Sequence, residues 1–251
     1  SGTVRNLYID DYRAGGSYYN ASKGKTFVSR SAAVLGTVYG NIENVHVSDA
    51  EITTYEYAAG IACYVAASGE IKDCSVTNLT INYNDPDDVN AESFVGGIAG
   101  RLNESRVTHC YAQGIDIQVD ETKSTYGIGG IVGYAVNSVV DTAYAEGRIV
   151  SRAQKVGGIV GHYYCTNASV ACMKNMWAKV DIICYTDVAG ALVGQTNITQ
   201  DRISATNNFT GIGIGNVYLS NLDSVNCSQT IGLNLGKNVT FFGTQEQLIN
   251  G

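Results

Sequence analysis

The sequence predicts an all-β chain wound into a parallel β-helix, right-handed, of about seven coils. The first observation behind this is a small-residue box that recurs in tandem. It reads Gly96-Gly97-Ile98-Ala99-Gly100, Gly129-Gly130-Ile131-Val132-Gly133 and Gly157-Gly158-Ile159-Val160-Gly161. Weaker copies lie at Ala32-Ala33-Val34-Leu35-Gly36, Ala59-Gly60-Ile61-Ala62-Cys63 and Gly190-Ala191-Leu192-Val193-Gly194. Anchored on Ala33, Gly60, Gly97, Gly130, Gly158 and Ala191, the intervals are 27, 37, 33, 28 and 33 residues, a period that marks a solenoid or stacked array. The second observation is a block of apolar-polar alternation after each box, beginning at Val4, Ile42, Ile71, Val107, Val140, Cys172 and Ile203. Within it a turn-prone Asn78 or Gly114 interrupts the alternation, which reads as strand, bend, strand. The third is composition. Val, Ile, Thr and Tyr dominate the periodic segments and suit a pleated surface, and no segment holds a helical stripe of apolar residues. A β-propeller is the rival, but its blades need a longer period of about 40 residues.

Taken in order, each repeat supplies about three short strands and one connection of variable length. The boxes are the small-residue side of the coil. Neighbouring strands there sit about 4.8 Å apart, and glycine accepts backbone angles closed to other residues. No Lys-Ser/Thr pair and no helix follows a box, which excludes a phosphate-binding loop. Pro86 is the sole proline and stands in the loop Asn84-Asp85-Pro86-Asp87-Asp88; scarce proline suits strands that need their backbone donors. Residues 1–251 read as one solenoid domain with a repeat core over 30–200 and a degenerate C-terminal coil over 201–251, including Thr230-Ile231-Gly232-Leu233-Asn234-Leu235-Gly236. The chain enters a repeat block almost at once and stops abruptly at Gly251, so a piece of a longer or processed protein is expected.

A net charge of −7 with 16 scattered Lys and Arg leaves no basic stripe for nucleic acid. No apolar run reaches the ~20 residues of a membrane span. Seven cysteines are present. Cys74 and Cys110 share an apolar column with Val45 and Leu7, which makes them stacked interior residues. Cys63 is also expected inside. Cys165 and Cys172 are either a short-loop bridge or two buried thiols. No C-x-x-C and no Cys/His pairing suggests zinc. Eight Asn-x-Ser/Thr sites begin at Asn20, Asn78, Asn103, Asn167, Asn197, Asn208, Asn226 and Asn238. They are glycan acceptors in a eukaryotic secreted protein, or simply the Asn-rich turns of a solenoid.

The boxes Gly97-Ile98-Ala99-Gly100, Gly130-Ile131-Val132-Gly133 and Gly158-Ile159-Val160-Gly161 resemble the GLUG motif, a tandem Gly-Leu/Ile-x-Gly repeat, and Ala191-Leu192-Val193-Gly194 resembles a variant of it. The resemblance covers roughly residues 30–200. It implies a β-rich array from a large secreted or surface-attached bacterial protein, of the kind found beside immunoglobulin-A-cleaving peptidase modules and in adhesin-like proteins. It implies no catalytic residue, because the motif is structural.

Pectate-type lyases need clustered acids for Ca²⁺ and a base, and glycosidases need paired carboxylates at fixed separation. Asp73 and Asp141 are candidates for one face. Asp85, Asp87 and Asp88 crowd one loop with oxygen ligands that suit Ca²⁺; the other reading is an acidic solvated turn, and no other cofactor is implied. Arg101, Tyr134, His162 and Gln195 follow successive boxes and are expected to stack as a ladder. Tyr111 and Tyr144 share a column, with Met176 expected there in the next repeat. Seventeen tyrosines stand against five phenylalanines, and tyrosine is favoured at recognition surfaces. The ligand-binding candidates are Tyr126, Tyr163, Tyr164, Arg101 and His162. The expected function is a non-catalytic extracellular or cell-surface module, acting as a platform for glycan or host protein or as a rigid spacer joined to further domains. The alternative is a polysaccharide-active β-helix enzyme.

Overall fold

The computed structural model describes residues 2–15, 18–20, 25–27, 31–54, 57–83, 94–120, 127–166, 172–185, 188–197, 209–213, 217–219 and 231–234. They form a parallel β-solenoid with three faces. The long face is a 10-stranded sheet built around Thr3–Asp10, Asn41–Thr54, Ser75–Tyr83, Arg106–Val119, Val139–Ser151 and Cys172–Cys184. The short face is six-stranded, from Ser31–Ala32 through Phe94–Gly96 to Ala189–Gly190. The return face is seven-stranded, from Leu35–Val38 through Ala99–Asn103 to Ile231–Asn234. Strands of the three faces pair in parallel with the coils above and below, and the antiparallel pair Tyr18–Asn20 with Lys25–Phe27 stands apart from them. Six coils therefore have all three faces, set by the six-stranded sheet. The seventh coil of the expectation is represented among the described residues by Phe209–Gly213, Val217–Leu219 and Ile231–Asn234 on two faces alone.

The long face bends because its inward residues do not keep a period of two. In Asn41–Thr54 the buried positions are Ile42, Val45, Val47, Ala50, Ile52 and Thr54. Each step of three carries one left-handed residue, Asn44 (φ 51°) and Asp49 (φ 51°), which turns the strand and restores the inward phase. Register aligns the first bend through Asn6, Asn44, Asp73, His109, Thr142 and Asn175. All six lie between φ 51° and 56°. The second bend runs through Asp11, Asp49, Asn78 and Gly114. Asn and Asp dominate these columns because their short polar side chains tolerate the left-handed region. They also bond along the stack: Asn44 Nδ2 donates to Asn6 Oδ1 at 2.9 Å and Asn78 Nδ2 to Asp49 Oδ1 at 3.0 Å. In the last two long strands the second bend is gone. Ile115 pairs with Gly147 across a register shift that leaves Gly114 as an extra residue, and the 14-residue strand becomes one of 13.

The interior is one continuous cluster, mostly Ile, Val, Leu, Ala, Cys and Met, contributed by the six complete coils. Cys74 and Cys110 stack inside it with Val45, as the apolar column requires. The six described cysteines are all buried and none is joined in a disulfide, which decides the Cys165–Cys172 alternative for thiols. The boxes form the corner between the short and return faces. A Cβ on Gly130 would lie 2.1 Å from the Gly158 carbonyl oxygen and 2.8 Å from Ala145 Cβ, so no larger residue fits between coils there.

That corner is acute, and the outward side chains of its two faces meet. Tyr57, Cys63 and Phe94 form a second apolar cluster with Tyr134 packed on it. Phe94 and Tyr134 stack at 5.3 Å and Tyr134 and His162 at 4.8 Å. The Arg101 guanidinium lies 5.3 Å from the Phe94 ring and 5.6 Å from that of Tyr134, within cation–π range.

Two block starts are corrected by the register. Val140 pairs with Met173, not Cys172, and Met173 pairs with Phe209, whereas Ile203 lies outside the described residues. Sulfur-bearing Cys172 and Met173 are both apolar, and alternation cannot tell which of two adjacent apolar residues points inward.

Candidate binding face

Between its two bends the long face presents two outward residues per coil. One column is Tyr8, His46, Ser75, Tyr111, Tyr144 and Trp177. The other is Asp10, Ser48, Thr77, Gln113, Glu146 and Lys179. Five of the six residues in the first column are aromatic, and Ser75 is the break. Met176, expected opposite Tyr144, instead pairs with Ala143 and faces the core, while Trp177 stands in its place. Elsewhere on the long face the outward columns carry alternating charge, as in Asp141–Lys174 at 3.5 Å and Arg13–Glu51 at 3.2 Å. In-register strands hold like residues one strand spacing apart, so opposite charges stabilise and like charges repel. The aromatic column is the exception to that pattern.

Its members are held in place. Tyr8 and His46 lie with ring centroids 5.0 Å apart, and Tyr144 and Trp177 at 4.5 Å. His46 is bonded at both ring nitrogens, to Ser75 Oγ at 2.6 Å and to Asn44 Oδ1 at 2.9 Å. The Tyr144 hydroxyl donates to Glu146, which also accepts from Lys179 Nζ at 3.0 Å. Burial and the neighbouring Glu146 push the Tyr144 phenol up, and the bonds from Tyr144 and Lys179 hold the Glu146 carboxyl below the ordinary carboxylate range. Ser48 Oγ donates to Asp10 Oδ1 at 2.6 Å. The face thus offers flat apolar rings beside a row of hydroxyl, amide and charged groups, on backbone fixed by parallel ladders. A pocket of about 590 Å³ opens in it, lined by Tyr8, Asp10, His46, Ser48, Ser75, Thr77 and Tyr111 among others.

A second groove, of about 820 Å³, follows the corner from the return face to the long face. Glu70, Glu104 and Arg106 line it with Ser68, Ser105 and Asn137. Glu70 Oε1 accepts a bond from Thr108 Oγ1 at 3.1 Å.

The candidates from the sequence fall differently. Arg101 and His162 stand in the expected ladder with Tyr134 and Gln195, but that ladder is packed in the acute corner. Tyr163 is fully buried; its hydroxyl donates to the Ser138 carbonyl and accepts from Cys172 N at 3.1 Å. It faces the core together with Val160, three positions before it, so the return strand does not keep strict alternation there. Tyr164 is exposed at the end of Val160–Tyr164. Tyr126 and the acidic loop with Asp85, Asp87 and Asp88 lie outside the described residues. Among the described residues no group of three or more His, Cys, Asp or Glu is placed to hold a metal ion. Asp73 and Asp141 occupy different columns, since Asp73 aligns with His109 and Thr142, and Asp141 with Thr108. Tyr8, His46 and Trp177 are the residues of the aromatic face that sequence reasoning missed. The signal was the alternation itself, once the block is started at Met173.

Residues 54–82 match the GLUG motif. That span is one structural turn: the end of a long strand, the short strand Tyr57–Ala59, the box corner, the return strand Ala62–Val65 and the next long strand. The match is narrower than the 30–200 of the resemblance, although the described coils repeat the same plan. The chain is 33% identical over 90 residues to Halomucin of Haloquadratum walsbyi, covering 34% of this chain and 1% of that protein. In fold it is similar to a Bacteroides ovatus protein provisionally named an immunoglobulin A1 protease, with a TM-score of 0.59 and 17% identity, over 97% of this chain and 68% of that one. One relative is archaeal and the other bacterial, so the expected bacterial origin does not follow from the motif. No helix among the described residues is long and apolar enough to cross a membrane.

Proposed function

We propose that the chain is a non-catalytic, extracellular repeat module that binds carbohydrate on the outward aromatic column of its long face. The observation that carries this is the pairing of Tyr111, Tyr144 and Trp177 with Gln113, Glu146 and Lys179 two residues on. Aromatic faces pack against the apolar faces of sugar rings, and the flanking polar row meets their hydroxyls, the mixture that binding sites favour. The names of the two relatives, a mucin and an immunoglobulin A1 protease, refer to extracellular molecules and support the placement outside the cell.

The distribution of acids also favours binding over hydrolysis on this face. Asp10 and Glu146 are four strand spacings apart in their column, about 19 Å, against the roughly 5–9.5 Å of a glycosidase pair. The enzymatic alternative would work in the groove that holds Glu70 and Glu104 with Arg106. Calorimetric titration with a panel of polysaccharides tests the proposal. Binding that weakens at least tenfold in Tyr144→Ala and Trp177→Ala is the expected result. Polysaccharide cleavage that is lost in Glu70→Gln or Glu104→Gln would replace it with the enzymatic reading.

A further inference from the structure

Cys74 and Cys110 stand directly opposite each other in the core. Lys72 pairs with Thr108 and Ser75 with Tyr111, so the two cysteines share one register position on adjacent long strands. Backbone bonds bracket them, Asp73 N to Thr108 O and Tyr111 N to Cys74 O, each at 3.1 Å. Their Cα atoms are one strand spacing apart, about 4.8 Å, inside the roughly 4.4–6.8 Å that a disulfide spans. No other described cysteine is matched in this way. Cys63 falls opposite Gly100, Cys172 opposite Val139, and Cys184 opposite Ser151 and Leu219. Cys165 lies beyond the paired strand Val160–Tyr164.

Both side chains point inward, at 0% and 1% exposure, and they take the same orientation. Cys74 Sγ donates to the Lys72 carbonyl at 3.1 Å and Cys110 Sγ to that of Thr108 at 3.2 Å. Each also reaches the coil before it, at the carbonyls of Ile42 and Ile71. Sulfur thus stacks on sulfur. Bonding requires one side chain to rotate toward the other and the Cβ atoms to close by a few tenths of an ångström. The two thiols are unequal in acidity. The bond from Cys110 holds the Cys74 thiol below its ordinary range, and burial pushes that of Cys110 up. Cys74 is therefore the thiol that ionises first and attacks.

We propose that Cys74 and Cys110 are a modification site, oxidised to a disulfide that staples two coils beneath the outward face. The chemistry is exchange with an external disulfide. The Cys74 thiolate attacks one of its sulfurs, the external S–S bond breaks, and one thiol leaves with the Cys74 proton. The Cys110 thiolate then attacks the Cys74 sulfur of the mixed disulfide, and the second thiol leaves with the Cys110 proton. The two protein thiols lose two electrons and two protons, and the external disulfide departs as two thiols. Since both cysteines are buried, the exchange belongs to folding, before Arg106–Val119 closes on Ser75–Tyr83. Ser75 and Tyr111 follow the two cysteines and belong to the outward column, so the staple fixes the backbone spacing of that face. The oxidising compartment it needs is the extracellular placement proposed above. The test sets the redox condition itself, so its failure leaves that placement and the carbohydrate reading standing.

The chain is refolded with oxidised glutathione and, in parallel, with reduced glutathione alone, and remaining thiols are alkylated. Trypsin cleaves after Lys72, Arg101, Arg106 and Lys123 and so puts the two cysteines in separate peptides, Asp73–Arg101 and Val107–Lys123. Mass spectrometry of the oxidised sample is expected to find these two peptides joined, and parted by a reductant. The oxidised chain should unfold at a urea concentration about 1 M higher than the reduced one. Cys74→Val and Cys110→Ala adopt the residues that neighbouring coils carry in this column, Val45 and Ala143. Each should keep the midpoint of the reduced protein and lose the rise on oxidation; either serves if the other does not fold. Both peptides alkylated in the oxidised, folded chain would overturn the proposal, as would either cysteine joined to glutathione or to another cysteine. So would a chain that folds only when reduced, or a joined pair with no rise in the midpoint.

Discussion

Gly130→Ala should destabilise the solenoid by about 2–6 kcal/mol, whereas Gly36→Ala should leave it unchanged or slightly more stable. The added Cβ at position 130 would lie 2.1 Å from the Gly158 oxygen. Relief requires the two coils to part by roughly 1 Å at this corner, since nonbonded contacts settle nearer 3.5 Å. The two hydrogen bonds nearest the added carbon that cross the gap run from Gly130 N to Gly157 O at 3.2 Å and from Ile131 N to Ile159 O at 3.0 Å. Lengthened by 1 Å, both leave the hydrogen-bonding range. Each buried group so stranded costs about 1–3 kcal/mol, which gives the total. That is a large share of the roughly 5–15 kcal/mol that holds a folded domain together. At Gly36 nothing lies within 4 Å of the added carbon and no positive φ is involved, so the loss of unfolded-chain freedom contributes up to about 1 kcal/mol of stabilisation. Urea unfolding of both variants, followed by circular dichroism, makes the comparison. Midpoints for the two that agree within about 0.5 kcal/mol would refute the account of the box as a contact between coils.

Other substitutions probe the bends, the core and the acid limit. Asn78 holds φ 54° in a column where the next coil has Gly114, so Asn78→Gly should be tolerated in thermal unfolding and Asn78→Val should cost about 1–3 kcal/mol in strain. Tyr163→Phe strands the Ser138 carbonyl and the Cys172 amide and should cost about 2–4 kcal/mol by urea titration. At Asp141, burial works to raise the carboxyl pKa, but bonds from Asn175, Thr142 and Lys174 outweigh it and hold the group below its ordinary 3.8. A lowered folded pKa means that the carboxylate stabilises the fold above 3.8 and that this contribution fades as pH falls through the folded value. Stability curves of wild type and Asp141→Asn should therefore differ at pH 7 and converge below about pH 4; parallel curves across that range would count against it.

The coil was legible because its causes are local and repeated. A glycine that must meet a neighbouring carbonyl at every turn leaves a periodic mark, and the box anchors fell on the corner in each described coil. The second bend was legible where Asn78 and Gly114 occupy it, since those residues are the usual tenants of the left-handed region. The first bend was not, because His109 and Thr142 hold it in two coils and neither residue type signals a turn. The evidence for it was the step of three between apolar positions, as from Ile71 to Cys74 and from Val107 to Cys110.

The binding face was half legible for a reason that applies to any stacked coil. Inward columns announce themselves by being apolar in every repeat, but an outward column is defined only by register, and one misplaced start moves it by a residue. Starting the sixth block at Cys172 put Met176 beside Tyr144 and turned the sole tryptophan inward. Starting it at Met173, as the pairing requires, sends Met176 to the core beside Ala143 and adds Trp177 to Tyr111 and Tyr144. The same shift distinguishes the two tyrosine-rich surfaces. The ladder after the boxes lies in an acute corner where Phe94 and Arg101 already fill the space, whereas the column between the bends stands on an open face, with Tyr8 and Tyr111 exposed. Exposure, not tyrosine content, therefore separates a ring that packs the fold from one that can receive a ligand.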